Sequence, residues 1–178
     1  IAGPWDFSAA VNPKLTFKTW YDIEEGWDFG FVQVSTDGGA TWASIAGTTT
    51  TADHDPDCFF VDEVPGYTGY SDGWLDEEVD LTAFAGQSEV LLRFRYRTDP
   101  ATIGLGWFID DVAVQDGATT LFSDGFEGAD KWVASNWIKT DGYFVYPHYY
   151  IAEWRNASGF DKGLVDGRYG IKDFGMLL

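Results

Sequence analysis

Apolar and polar positions alternate with period two over much of this chain. Residues 15–23 place Leu15, Phe17, Thr19, Tyr21 and Ile23 on one face and Thr16, Lys18, Trp20 and Asp22 on the other, the pattern of a half-buried strand. A turn at 24–26 leads into a second strand over 29–35, where Phe29, Phe31 and Gln33 face away from Val32 and Val34. Asp37-Gly38-Gly39 predicts a tight hairpin with a returning strand over 41–45. The clearest alternation runs over 89–98, with Leu92, Phe94 and Tyr96 opposite Arg93, Arg95 and Arg97, and Asp99-Pro100 ends it. Residues 107–114 close the series. Two stretches break the rhythm. Residues 47–74 read as a long irregular insertion with one short strand over 58–61, and 80–86 as a single helical turn with Asp80 as N-cap and Gly86 just past its end. Short strands joined by turns, with little helix, predict an all-β fold: an antiparallel jelly-roll β-sandwich followed by a smaller β-rich module.

The strand pattern restarts after Asp116-Gly117, and charge density changes at the same place. Residues 1–115 hold 20 acidic and 5 basic residues (net −15), whereas 116–178 hold 9 and 6 (net −3). A division into 1–116 and 117–178 is therefore expected. The whole chain carries −18, a field that repels nucleic acid and anionic membrane surfaces and favours cations. It has no run of 18 apolar residues, so no helical membrane span is expected. Cys58 is the single cysteine. No intrachain disulfide can form, and a small buried side chain is the expected role. A secreted protein without disulfides often needs another staple, and an acidic one can use calcium.

Four motifs bear on chemistry. Ser35 to Trp42 (STDGGATW) is an Asp-box pattern: Asp37 accepts turn amides, Gly38 and Gly39 supply positive φ, and Trp42 packs beneath the hairpin. It specifies a hairpin rather than an activity. Asp110 and Asp111 interrupt a strand otherwise fit for a core, where an acidic group is costly unless paired or metal-bound. Should 107–114 lie beside the strand ending at Asp22, these two could meet Glu24, Glu25 and Asp28 around one cation. Calcium suits such oxygen ligands, and pairing with Arg93, Arg95 or Arg97 is the competing reading. The arginine ladder could itself bind an acidic sugar or a carboxylate, or be consumed by cross-strand ion pairs. Asp53, Asp55 and Asp57 lack the glycine and glutamate of an EF-hand loop and read as a solvated stretch.

Zinc hydrolysis is checked on the histidines. The two present, His54 and His148, belong to no H-E-x-x-H helix, and no Cys–His or Ser–His–Asp set is evident, so no catalytic residue is expected here. His148, after Pro147 in an aromatic run, is expected to pack within a strand.

Four stretches resemble the region that follows the catalytic domain in immune inhibitor A metallopeptidases. They are LTFKTWYDIEEGWDFGFVQVSTDGGATW (15–42), GWLDEEVDLTAFAGQSEVLLRFRYRTD (73–99), GWFIDDVAV (106–114) and YPHYYIAEWRNASGFDKGL (146–164). The resemblance implies a MAM-like jelly roll followed by a smaller VEG-type β module, within a secreted, extracellular parent. It implies a non-catalytic accessory role, with zinc held only by a catalytic domain outside this chain. That domain would be the natural partner, and a protein or carbohydrate substrate a further one. It also supports a calcium site near Asp110 and Asp111. The alternative is a carbohydrate- or cell-surface-binding jelly roll, which coplanar exposed Trp and Tyr rings would favour over rings packed inside.

Overall fold

The computed structural model describes residues 1–140 and, beyond them, the backbone of two short strands. The chain divides into two compact units, Ile1–Ile138 and Lys139–Leu178. In the second, β9 (Glu153–Arg155) and β10 (Gly175–Leu177) pair antiparallel. The expected placements of His148 and of most of the second module lie outside the described residues.

The first unit is the expected all-β sandwich. One four-stranded sheet runs in the order β1 (Ala2–Trp5), β6 (Val90–Arg97), β3 (Phe29–Ser35), β4 (Ala43–Ser44). The other runs β5 (Leu75–Asp80), β2 (Pro13–Asp22), β7 (Gly106–Asp116), β8 (Thr119–Asp124). Neighbouring strands within both sheets are antiparallel. Residues 80–86 hold a 3-10 turn at Thr82–Phe84, with Asp80 Oδ1 accepting Thr82 N–H at 2.8 Å.

The alternation of β2 decides its orientation: every second residue from Pro13 to Tyr21 is buried, Leu15, Phe17, Thr19 and Tyr21 among them, and the residues between are half-exposed. Its inward side chains meet Val32, Val34, Leu92, Val112, Val114 and Trp107 in the main core. Trp107 centres an aromatic cluster, with ring centroids 5.4 Å from Tyr67 and 5.8 Å from Phe94, and each such pair adds about 0.5–1.5 kcal/mol beyond area burial. Its indole N–H donates to Thr19 Oγ1 at 2.8 Å, so the ring's polar edge is satisfied inside.

β3 is buried along its whole length, because the 47–74 insertion covers its outer face. Phe29 and Phe31 stack at 5.8 Å and join Cys58 and Phe60 in a second, smaller core. Cys58 is thus the small buried side chain expected. The insertion forms this core through turns: residues 58–61, expected as a strand, contain none.

β8 pairs with β7, and Trp132 and Trp137 pack against the main core. The compact unit therefore runs past the expected division at 116 to Ile138. The drop in charge density marks the end of β7 rather than the end of the fold.

Candidate functional site

The turn after β2 builds an acidic pocket. Asp28 N–H and Trp27 N–H both donate to Glu24 O, at 2.9 and 3.3 Å, and Thr68 Oγ1 ties the turn down through Gly26 N–H and Glu24 O. This curl turns Asp28 inward until it is fully buried. Its Oδ1 accepts Asp99 N–H at 2.9 Å, and Tyr96 OH lies 3.4 Å from Oδ2. Carboxylate oxygens of Glu24, Asp28 and Asp99 lie within 4.8 Å of one another. Two ligands on opposite sides of a calcium ion are about as far apart, given Ca–O distances near 2.4 Å. The Glu24 Oε2 atom is buried with no hydrogen-bond partner among the described residues. Burial, chiefly, raises the Asp28 pKa, and the charges of Asp99 and Glu24 add to it against the hydrogen bonds from Asp99 and Tyr96. Burial and then Asp28 likewise raise the Tyr96 pKa. An acidic group held this way is one that a cation would relieve.

Of the five carboxylates expected to share a cation, this group takes Glu24 and Asp28 and adds Asp99, whose sequence context beside Pro100 points only to a strand end. Glu25 is exposed, and its side chain lies along Gly69. β7 does lie beside β2, but antiparallel register sets Gly106 opposite Asp22 and Asp110 opposite Lys18. Four residues of strand, about 13 Å at the usual rise, separate the two positions. The register shifts between Thr16 and Lys18, and Asp111 takes φ +49°. This bulge lets both aspartates avoid the core: Asp110 is half-buried, Asp111 exposed, and inward alternation resumes at Val112. Asp110 Oδ1 accepts Asp111 N–H at 2.8 Å. Asp111 Oδ1 and Glu127 Oε2 flank Gly125. The neighbouring Asp124 is 5% exposed, with Oδ1 on Phe126 N–H and a buried Oδ2 that has no partner among the described residues.

The arginines of β6 point away from the core onto the insertion. Glu63 accepts from Arg95 Nη1 at 2.7 Å and from Arg97 Nη1, and Arg97 also stacks over Phe60. The ion pairing weighed for the ladder is present, with its carboxylate supplied by the insertion rather than by a facing strand. Arg93 differs. Its guanidinium lies 4.2 Å over the Trp42 ring, and Nε donates to Gln33 Oε1 at 2.7 Å. Trp42 is held by the Asp-box: Asp37 accepts from Thr41 N–H at 2.9 Å and Thr41 Oγ1 at 2.6 Å, Gly38 and Gly39 have positive φ, and the indole N–H donates to Gly39 O at 3.0 Å.

His54 Nδ1 contacts Asp55 O at 2.8 Å on an exposed loop. On the outer face of the second sheet, half-exposed Trp20 meets the exposed Tyr70 of the insertion at 89° and half-exposed Phe108 at 65°, edge-on rather than as a coplanar platform.

Comparison with known proteins agrees with this architecture. The family model "Immune inhibitor A-like, MAM domain" matches residues 2–142, and the chain belongs to that family. It is 35% identical over 179 residues to pre-pro-metalloprotease PrtV of Vibrio cholerae, covering 100% of this chain and 18% of the relative. It is 29% identical over 176 residues to immune inhibitor A of Bacillus thuringiensis, covering 98% of this chain and 24% of the relative. Bacillopeptidase F of Bacillus subtilis matches at 32% over 102 residues, 57% of this chain and 6% of the relative. The chain thus spans less than a quarter of each of these relatives' length.

Proposed function

We propose that this chain is a non-catalytic accessory region of a secreted zinc metallopeptidase, stabilising the peptidase or positioning its substrate. The observation that carries this is end-to-end similarity to a minor portion of a protein named as a metalloprotease. The lack of a zinc-binding histidine pair at catalytic spacing supports it, as do aromatic rings that, among the described residues, pack mostly against the two cores. Zinc would be held by the catalytic domain of the parent, and that domain would be the region's first partner. The test is to compare the full parent peptidase with a form lacking this region. Lower thermal stability of the catalytic domain, or a raised KM for a protein substrate, is expected. Unchanged stability and kinetics would overturn the reading.

Calcium is the cation proposed to steady the fold. Glu24, Asp28 and Asp99 would hold it, because hard carboxylate oxygens at this spacing suit calcium and the buried Glu24 Oε2 has no other partner among the described residues. Asp111, beside Asp124 and Glu127, is a candidate for a second, looser site. A higher melting temperature in calcium than in chelator, lost in Glu24→Gln, supports the first site.

A further inference from the structure

Residues 1–115 contain five basic residues, and three of them, Arg93, Arg95 and Arg97, project from one face of β6. Glu63 engages two. Among the described residues, Arg93 has no carboxylate within ion-pair distance. It borders a concavity of about 470 Å³ whose lining includes Gln33, Trp42, Ser44, Asp62, and the paired Glu63 and Arg95. A volume of that size accommodates a sugar ring with its substituents.

The groove is preorganised. Gln33 is 2% exposed, and its amide is used at both ends: Oε1 receives Arg93 Nε–H, and Nε2 donates to Ser44 Oγ at 3.1 Å and Glu63 Oε2 at 3.3 Å. Those bonds fix one edge of the Arg93 guanidinium, and Trp42 fixes its plane. The other edge carries the two Nη groups, the fork that receives a carboxylate through two parallel hydrogen bonds. Burial and the like charge of Arg95 both work against the charged form of Arg93, and Glu63 works for it. An incoming anion would help in the same direction as Glu63. Around this fork the lining is polar: Glu63 is neutralised by Arg95 and Arg97, Ser44 can donate its hydroxyl proton, and Asp62 can accept from ligand hydroxyls. That mixture suits a polyhydroxylated ring better than an apolar side chain.

We infer that the groove beside Arg93 and Trp42 is a binding site for an acidic sugar, with the sugar carboxylate on the Arg93 fork and its hydroxyls on Ser44 and Asp62. The site goes beyond the accessory role proposed above and does not depend on calcium.

The test uses the full 178-residue chain, titrated by calorimetry and by NMR with oligogalacturonate, the matching neutral oligogalactoside and a short oligoglutamate peptide. Saturable binding of oligogalacturonate is expected, at least tenfold tighter than either comparison ligand, with the largest shifts at the Arg93 Nε–H and Trp42 indole N–H signals. Arg93→Gln should weaken binding at least tenfold, and Arg93→Lys should restore only part of it, since a point charge lacks the fork. The shift map on the unaltered chain decides the matter should a variant unfold. No saturable binding below about 10 mM, weaker than any useful site, or shifts confined elsewhere would overturn the inference. Equal binding of the neutral sugar, or of the acidic peptide, would overturn it as well, the latter in favour of a protein carboxylate as ligand.

Discussion

Trp107 lies against the backbone of Gly30, on the facing sheet, so closely that a Cβ at residue 30 would come within 2.5 Å of the indole ring. The largest ring of the main core thus reaches β3 through a residue without a side chain. On either side of Gly30, Phe29 and Phe31 turn outward to the second core. The two cores meet at this point.

Gly30→Ala should therefore destabilise the fold by about 1–3 kcal/mol, the range for overpacking a close-packed interior. Chemical denaturation would measure it, and a lowered midpoint with unchanged slope is expected. An unaltered midpoint would mean that Trp107 can move away at no cost.

Glu77 is a carboxylate inside the sandwich, 2% exposed, which accepts from Tyr67 OH at 3.0 Å and Thr49 Oγ1 at 2.6 Å. Burial first, and Glu77 next, push the Tyr67 phenol far above its ordinary range. Tyr67→Phe should cost about 1–3 kcal/mol, because it removes a hydrogen bond from a buried acceptor. Spectrophotometric titration should show that Tyr67 does not ionise before the protein unfolds in alkali. Ionisation of every tyrosine in the folded state near pH 10 would contradict this.

Much of the fold was legible because period-two alternation survives wherever a strand has one wet face. β2 and β6 are such strands. β5 escaped because its inward face carries Glu77 beside Leu75 and Val79, and a carboxylate in a core position reads as polar until Tyr67 and Thr49 are seen to satisfy it. Asp110 and Asp111 misled for a related reason: strict alternation would send one of them inward, but the bulge at Asp111 sends neither. The acidic group was half legible. Glu24 and Asp28 sit in one turn, whereas Asp99 follows β6 and reaches them only through the pairing of Phe29 with Arg97. Nothing in the sequence joined Trp42 to Arg93, since that contact depends on β3 separating the hairpin from β6 by one strand's width.

The Asp-box should give the protein an acid-sensitive turn. Hydrogen bonds from Thr41, and then from Ser35, hold the Asp37 carboxyl far below the ordinary range. A depressed folded pKa contributes stability that is present above the ordinary value, near 3.9, and is lost as pH falls toward the folded value. Asp37→Asn should lower the melting temperature at neutral pH, with the gap to the parent chain narrowing below about pH 4. A gap independent of pH would show that the charge is not what the turn uses.

Asp28 has the opposite sign. Its raised pKa means that the fold disfavours its charged form, so its contribution is most favourable below the ordinary carboxylate value and is lost as pH rises through the raised one. In chelator, Asp28→Asn should therefore gain on the parent chain as pH rises from about 4 to 7. Calcium should reverse the order by stabilising only the chain that can ligate it, by about 2.7 kcal/mol at a hundredfold excess over Kd. Identical melting curves in calcium and chelator across that range would remove the metal from the account.

The claim that this region carries no chemistry of its own is tested most directly by incubating the purified 178-residue chain with casein in the presence of zinc. No cleavage is expected, because its only histidines, His54 and His148, are 94 residues apart in sequence and belong to no zinc-binding helix motif. Zinc-dependent cleavage by pure material, abolished by His54→Ala or His148→Ala, would contradict it.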